Sequence, residues 1–212
     1  MVEWKDPVRL RAFLVKAARE GLSESEWAEL AGAAEAIAPS LISVAEDDGL
    51  ADSAAPVAIR LLGVARVAGA VPELLALLER GDPVSSRADA VVDALEALGE
   101  AARQGLYDLC DRYADRVDSD PYCTALEVLV LLTRDDRTWQ RLRHALEQSV
   151  SLAGVYIAMA GDYQDSRAVY FLNTMLEERE GLSREDQEGA LESIQMCGGV
   201  PTALAESRLK KG

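Results

Sequence analysis

The side chains best suited to bind a ligand or partner are several arginines that lie close in sequence to a tryptophan. Arg134, Arg137 and Arg141 recur at steps of three and four residues, which predicts one face of a helix or its entry. Arg143 and Trp139 lie on the same segment. Guanidinium groups beside an indole bind carboxylate or phosphate and stack on aromatic rings. The segment is therefore either a recognition surface or a core helix whose arginines pair with neighbouring acids.

The sequence contains no catalytic, metal-binding or cofactor-binding signature. His144 is the only histidine, so a two-histidine metal site is excluded, and a general base at His144 would need a partner from elsewhere in the fold. Cys110, Cys123 and Cys197 form no CxxC pair and are expected to be small buried apolar residues. No glycine-rich phosphate loop opens a helix. We expect a protein that is not an enzyme and has no cofactor.

The charge balance is strongly acidic. Lys and Arg number 22 and Asp and Glu number 37, which gives a net charge of −15. Because nucleic-acid affinity depends mainly on Lys and Arg, this charge disfavours nucleic acid as a partner. It also disfavours anionic membranes and favours a partner protein with a basic surface.

The location predicted from the sequence is the cytoplasm. The first residues lack a basic region followed by an apolar one, as a secretory signal would have. The most apolar stretches, 126–132 and 152–161, are far shorter than the roughly 18 residues of a membrane span.

Composition predicts an all-α fold. The chain has 34 Ala and 29 Leu but only 5% aromatic residues, a bias that favours helix over sheet. Asp6-Pro7 starts the first helix and Gly21 ends it, while Ser23 and Glu26 form a capping box for the second. Pro39 is expected to start a new segment. The later predicted helices cover 57–67, 71–80, 84–98, 102–113, 121–132, 137–150, 152–160 (ended by Gly161), 166–178, 183–197 and a short helix from 201.

The helices recur as pairs. A similar, mainly apolar four-residue sequence ends the first helix of each successive pair. It recurs at 60–63, 96–99, 130–133, 158–161 and 195–198, with intervals of 28 to 37 residues. A pair with two apolar sides must stack on its neighbours, which predicts a curved array. A compact helical bundle is the alternative, although bundles more often use fewer and longer helices.

The segment 58–63 followed by 70–78 resembles a HEAT-like repeat of the armadillo-like class. Its Ala-rich first helix ends at Leu62-Gly63, and Val71-Pro72 then leads into a Leu-rich second helix. Asp165 to Val169 matches the turn of a later repeat without its proline. The resemblance implies a right-handed α-α superhelix (solenoid) of about five or six helix pairs. It would form one domain over 1–212, with caps at 1–50 and 181–212 and core repeats at 51–180.

HEAT-like arrays are mostly protein-interaction scaffolds whose second helices line a concave surface. The resemblance therefore implies a non-catalytic adaptor. Its partner-binding residues would lie on the second helices: Arg134, Arg137, Trp139, Arg141, Arg143, Tyr107, Asp111 and Tyr170. Two other functions stay open, namely an immunity or inhibitor protein against a basic toxin or enzyme, and an enzyme similar to HEAT-like DNA glycosylases. The second would use Trp139, Arg143 and Tyr170 with Asp111 or Asp165, and the acidic charge opposes it.

Overall fold

The computed structural model describes residues 4–80 and 85–209, which contain twelve α-helices, two short 3-10 turns and no β-strand. The predicted all-α fold is confirmed for this part of the chain. Asp82-Pro83, which in the sequence resembles the linker between two repeats, and the predicted helix start at Val84 lie outside the described residues.

The chain folds as two compact units, Met1–Asp111 and Arg112–Gly212. The helices of unit 1 are α1 (Pro7–Glu20), α2 (Glu24–Ala45), α3 (Ala54–Val64), α4 (Val71–Arg80), α5 (Ser86–Leu98) and α6 (Glu100–Arg112). Those of unit 2 are α7 (Asp120–Leu132), α8 (Asp136–Gln148), α9 (Ala153–Tyr163), α10 (Ser166–Glu178), α11 (Arg184–Met196) and α12 (Ala203–Leu209). The boundary falls at the end of α6, inside the predicted core repeats.

Within each unit, the odd-numbered helices from α3 onward pack on one another. In unit 1, α3 contacts α2 and α5, and α4 contacts α5. In unit 2, α9 contacts both α7 and α11, while α10 contacts α11 and α12. We call α3, α5, α7, α9 and α11 the first helices, and α4, α6, α8, α10 and α12 the second helices.

Local capping signals start the helices as predicted. The Asp6 carboxylate accepts from the backbone N–H of Val8 and Arg9, and Gly21 ends α1 at a positive φ of 80°. Ser23 and Glu26 form the predicted capping box, and Ser183 and Asp186 form another at α11. Each cap satisfies N–H groups that a helix N-terminus leaves without an intrahelical partner.

The prediction that Pro39 starts a new segment is wrong. Helix α2 runs through Pro39 without a break. Proline removes the hydrogen bond to the carbonyl four residues earlier, here that of Glu35. Both residues are exposed, so this carbonyl faces solvent and water can satisfy it. The helix therefore continues to bury Ile37, Leu41 and Val44.

Among the described helices, only α2 is long and apolar enough to cross a membrane by length and composition. The core helix of a water-soluble protein meets the same test. Six residues of α2 are buried and the helix packs on α3, so its apolar character is explained by the core of unit 1.

The glycines of the recurring four-residue sequence have two different roles. Gly99 ends α5 at a positive φ of 58°, as predicted for a helix stop. The prediction that Gly161 ends its helix is wrong, because α9 continues to Tyr163. A Cβ on Gly161 would lie 2.8 Å from Ser193 Oγ on α11, and one on Gly63 would lie 2.6 Å from the Ala94 Cα on α5. These two glycines allow neighbouring first helices to approach closely.

A glycine-to-alanine pair tests this packing. Gly63→Ala should lower the free energy of unfolding by about 1–3 kcal/mol, since the added methyl group meets backbone that cannot move without shifting a helix. Gly32→Ala is the matched control, because Gly32 lies inside α2 with nothing within 4 Å of the added Cβ. It should raise the free energy of unfolding by about 0.5–1 kcal/mol. Denaturant unfolding of both variants measures this, and equal effects would contradict the close approach of α3 and α5.

Candidate functional site

Helix α8, which carries the predicted arginines, is fixed at its N-terminus by two contacts. Asp135 caps it, accepting from the backbone N–H of Thr138 at 2.8 Å. The Asp135 carbonyl in turn accepts from the hydroxyl of the buried Tyr163 on α9 at 2.7 Å. A side-chain cap and a cross-helix bond together set where α8 begins.

The C-terminus of α8 is held by Asp118 and Arg179. Asp118 accepts from Ser149 Oγ at 2.5 Å and from the backbone N–H groups of Val150 and Ser151 at 3.0 and 3.2 Å. Burial raises the pKa of Asp118, but these hydrogen bonds outweigh burial and lower it to about 2. The Arg179 guanidinium donates to the carbonyls of Leu146 and Ser149 at the last turn of α8, where a cation also complements the helix dipole.

The three arginines predicted to share one face have different surroundings. Arg134 is exposed in the loop before α8 and makes no ion pair with any residue in the described part of the chain. Arg137 and Arg141 are half-buried, and the Arg141 guanidinium donates to the Arg137 carbonyl at 3.0 Å. The Arg141 carbonyl accepts from the hydroxyl of the buried Tyr122 at 3.0 Å. Arg137 and Arg141 thus flank the core, and Arg134 alone is fully in solvent.

Two of the aromatic residues that were predicted to bind a partner are almost completely buried. Trp139 is 7% exposed and stacks on Tyr163, with ring centroids 6.3 Å apart. Tyr107 is 3% exposed in α6 of unit 1. Asp111 is exposed at the end of the same helix. Trp139 and Tyr107 therefore belong to the cores of their units.

Arg143 on α8 and Tyr170 on α10 are both exposed. Arg143 pairs with Glu147 one turn further along α8, with Nε 2.8 Å from Oε1. The Cζ atom of Arg143 lies 6.0 Å from the centroid of the Phe171 ring on α10, near the limit for a cation–π contact. Tyr170, the neighbour of Phe171, is 79% exposed. Of the predicted site residues on α8 and α10, Arg143 and Tyr170 are thus the exposed ones, and the contact given between the two helices at this point is that of Arg143 with Phe171.

Arg167 on α10 joins α10 to α8, and the arginine spacing in the sequence did not identify it as a site residue. It pairs with Asp165 at 2.6 Å and with Asp136, at the start of α8, at 2.7 Å. Its Cζ lies 5.3 Å from the centroid of Trp139. Asp165 and Arg167 are close in the sequence. Arg167 can contact Asp136 and Trp139 only because α8 and α10 lie side by side in the fold.

We define the α8–α10 surface as Arg143, Arg167, Tyr170 and Phe171. Residues 167, 170, 171 and 174 share one face of α10 because of the helical period. The surface combines two positioned guanidinium groups, each held by carboxylates, with one exposed phenol. Such a surface can stack, hydrogen-bond and pair with charges of a partner.

The other polar groups that the sequence singles out are buried or are occupied by contacts within the fold. His144 is half-buried, and its Nε2 donates to the Ala114 carbonyl at 3.1 Å. The hydrogen bond from Arg167, outweighing burial, lowers the pKa of Asp165, so this carboxylate is held ionised in an ion pair. Cys110 is buried, and Cys123 and Cys197 are partly buried; burial raises the pKa of Cys123 to about 11. No group of three or more potential metal ligands occurs in residues 4–80 and 85–209.

Comparison of the chain with protein-family models, with curated proteins and with solved structures finds no match. Functional conclusions therefore depend on the residues and geometry of the chain itself.

The hydrogen bonds of the Asp118 carboxylate give a prediction about pH. Asp118→Ala should lower the free energy of unfolding by about 1–2 kcal/mol at pH 7, in the range for lost hydrogen bonds to a charged group at an exposed site. Because the folded-state pKa of Asp118 is lowered, its stabilisation is complete above the unfolded pKa of about 4. The stabilisation is then lost as pH falls toward about 2.

The measurement is denaturant unfolding of wild type and variant between pH 7 and pH 2. The difference between their free energies of unfolding should shrink below about pH 4. Asp115→Ala is the matched control, since Asp115 is exposed and bonds to no described residue. It should change stability by less than about 0.5 kcal/mol. A wild-type advantage over Asp118→Ala that stays constant with pH would contradict the role given to the ionised Asp118 carboxylate.

Proposed function

We propose that the chain is a non-catalytic protein–protein interaction scaffold, or adaptor, and that the α8–α10 surface binds its partner. The single observation that carries this proposal is the exposure of Tyr170. Tyr170 is 79% exposed on the face of α10 that also carries Arg167, and a tyrosine offers a large ring with only two side-chain torsions to fix when a partner covers it. Tyrosine and arginine are also the residue types enriched at interface hot spots.

The helical packing supports a HEAT-like right-handed superhelix as the scaffold. First helices contact first helices within each unit, as α3 does with α5 and α9 does with α7 and α11. Second helices also meet: α10 contacts α12, and Arg167 of α10 bonds to Asp136 of α8. Stacking of like helix on like helix is the feature that distinguishes a repeat array from a bundle. In such an array, the second helices would present the α8–α10 surface on the concave side.

The proposed partner is another protein with a basic surface, in the cytoplasm. A net charge of −15 steers cationic proteins toward the chain and raises the association rate, mostly at low salt. An immunity or inhibitor role against a basic toxin or enzyme is a special case of this proposal. We expect no nucleic-acid or membrane partner and no cofactor.

The geometry gives little support to the DNA glycosylase alternative. The tryptophan that would stack on a base, Trp139, is covered by Arg167 and Tyr163. The candidate carboxylate of Asp165 is paired with Arg167 at 2.6 Å and is not placed to act on a substrate.

Affinity capture with matched variants tests the proposed function. Wild type, Tyr170→Ala and Val8→Ala would each be immobilised and exposed to native lysate at low salt. Val8 is 76% exposed on α1 of unit 1, so Val8→Ala removes an exposed apolar side chain that is not part of the α8–α10 surface. A protein retained by wild type should be retained by Val8→Ala and lost by Tyr170→Ala.

The purified partner would then give dissociation constants for the three proteins. Loss of a hot-spot tyrosine costs about 2 kcal/mol or more, which is at least a tenfold weaker affinity. Circular dichroism of Tyr170→Ala should match wild type because the side chain is exposed. Equal binding by wild type and Tyr170→Ala, or no protein retained by wild type, would contradict the proposal.

A further inference from the structure

A cleft between the first helices α7 and α9 combines an apolar wall with two carboxylates. Its cavity volume is about 180 Å³, and Glu127, Leu131, Val155, Met159 and Asp162 are among its lining residues. Leu131 is 55% exposed and Val155 is 42% exposed, while Met159 is buried. Apolar side chains this exposed on two adjacent helices form a small patch of the kind that partners cover.

The two carboxylates of the cleft have no cation of their own. Neither Glu127 nor Asp162 makes an ion pair or hydrogen bond with any residue that the structure describes. Burial and the nearby negative charge of Asp162 raise the pKa of Glu127. The like charges therefore destabilise one another in the free protein, and a positive charge placed between them would relieve this repulsion.

Two carboxylates beside an apolar wall match the chemistry of a long basic side chain. Lysine and arginine have an apolar stem and a charged head, and the stem packs on apolar surface while the head seeks an acid. A divalent cation fits less well, because calcium takes six to eight oxygen ligands and no group of three potential ligands lies in the described residues.

We propose that this cleft binds an arginine or lysine side chain of a partner polypeptide. The stem of the basic residue lies against Leu131 and Val155, and its head lies between Glu127 and Asp162. The charge of the whole chain has the same sign as the cleft, so approach of a basic segment is favoured at long range as well as on contact. The cleft shares no residue with the α8–α10 surface, so this inference stands independently of the proposed function.

Methyl NMR of the full chain with defined peptides tests the proposal. The probes are acetyl-Leu-Arg-Leu amide, its lysine counterpart and its citrulline counterpart, which keeps the shape of arginine without its charge. The arginine or the lysine peptide should shift the methyl signals of Leu131, Val155 and Met159 in a saturable way. The citrulline peptide should bind at least ten-fold more weakly.

Two double variants distinguish binding in this cleft from nonspecific attraction of the basic peptide to an acidic protein. Glu127→Gln with Asp162→Asn should weaken binding of the basic peptide at least ten-fold. Glu178→Gln with Glu180→Gln removes the same two charges from exposed positions at the C-terminus of α10 and should leave binding within two-fold of wild type. Without peptide, the melting temperature of the first variant should equal or exceed that of wild type, since a like-charge repulsion has been removed.

Each of the following results would overturn the proposal: no saturable shift, equal binding of the citrulline peptide, equal loss in the α10 control, or a lower melting temperature of the cleft variant. The last would show that the carboxylates stabilise the fold. Methyl shifts that depend on protein concentration without peptide would assign the cleft to a second copy of the chain, and would also overturn it.

Discussion

Close contact between neighbouring first helices is the constraint on which the rest of each unit depends. At Gly63 and Gly161, a Cβ would lie within 3.0 Å of atoms on the next first helix. Such contacts leave no room for a side chain at either glycine position, so the position of one helix restricts that of the next. The second helices take their positions from this layer, since α4 packs on α5 and α8 on both α7 and α9. Dense packing of this kind favours one fixed arrangement within a unit over many loose ones.

Hydrogen bonds and ion pairs of unit 2 fix the second helices α8 and α10 against the first helices. Buried tyrosines of the first helices α7 and α9 donate to backbone carbonyls in and before α8. Asp118 and Arg179 hold the other end of α8. Helix α10 is joined to α8 through Arg167 and Asp136. The exposed Tyr170 thus stands on a surface whose neighbours have few alternative positions, and preorganisation of this kind reduces the entropy cost of binding.

Signals confined to a few adjacent residues were predictable from the sequence, and those that depend on neighbouring helices were not. The caps at Asp6, Ser23 and Ser183 were predicted because side chain and backbone partner lie within three residues. The predicted helix end at Gly161 was wrong, because a glycine that permits close packing looks the same in sequence as one that ends a helix. The arginine spacing located α8 but did not show that Trp139 faces the core. Arg167 was missed as a site residue because its partner Asp136 lies 31 residues away.

The central claim is that a partner protein is bound by the second helices α8 and α10 of unit 2. Hydrogen–deuterium exchange of the chain, free and bound to the partner that Tyr170 retains, tests it most directly. Exchange in free helices reports local opening, and a covered surface slows it. We predict that binding slows exchange mainly in peptides from 136–148 and 166–178, with little change in the helices of unit 1. Protection confined to other helices, with α8 and α10 unchanged, would contradict the claim.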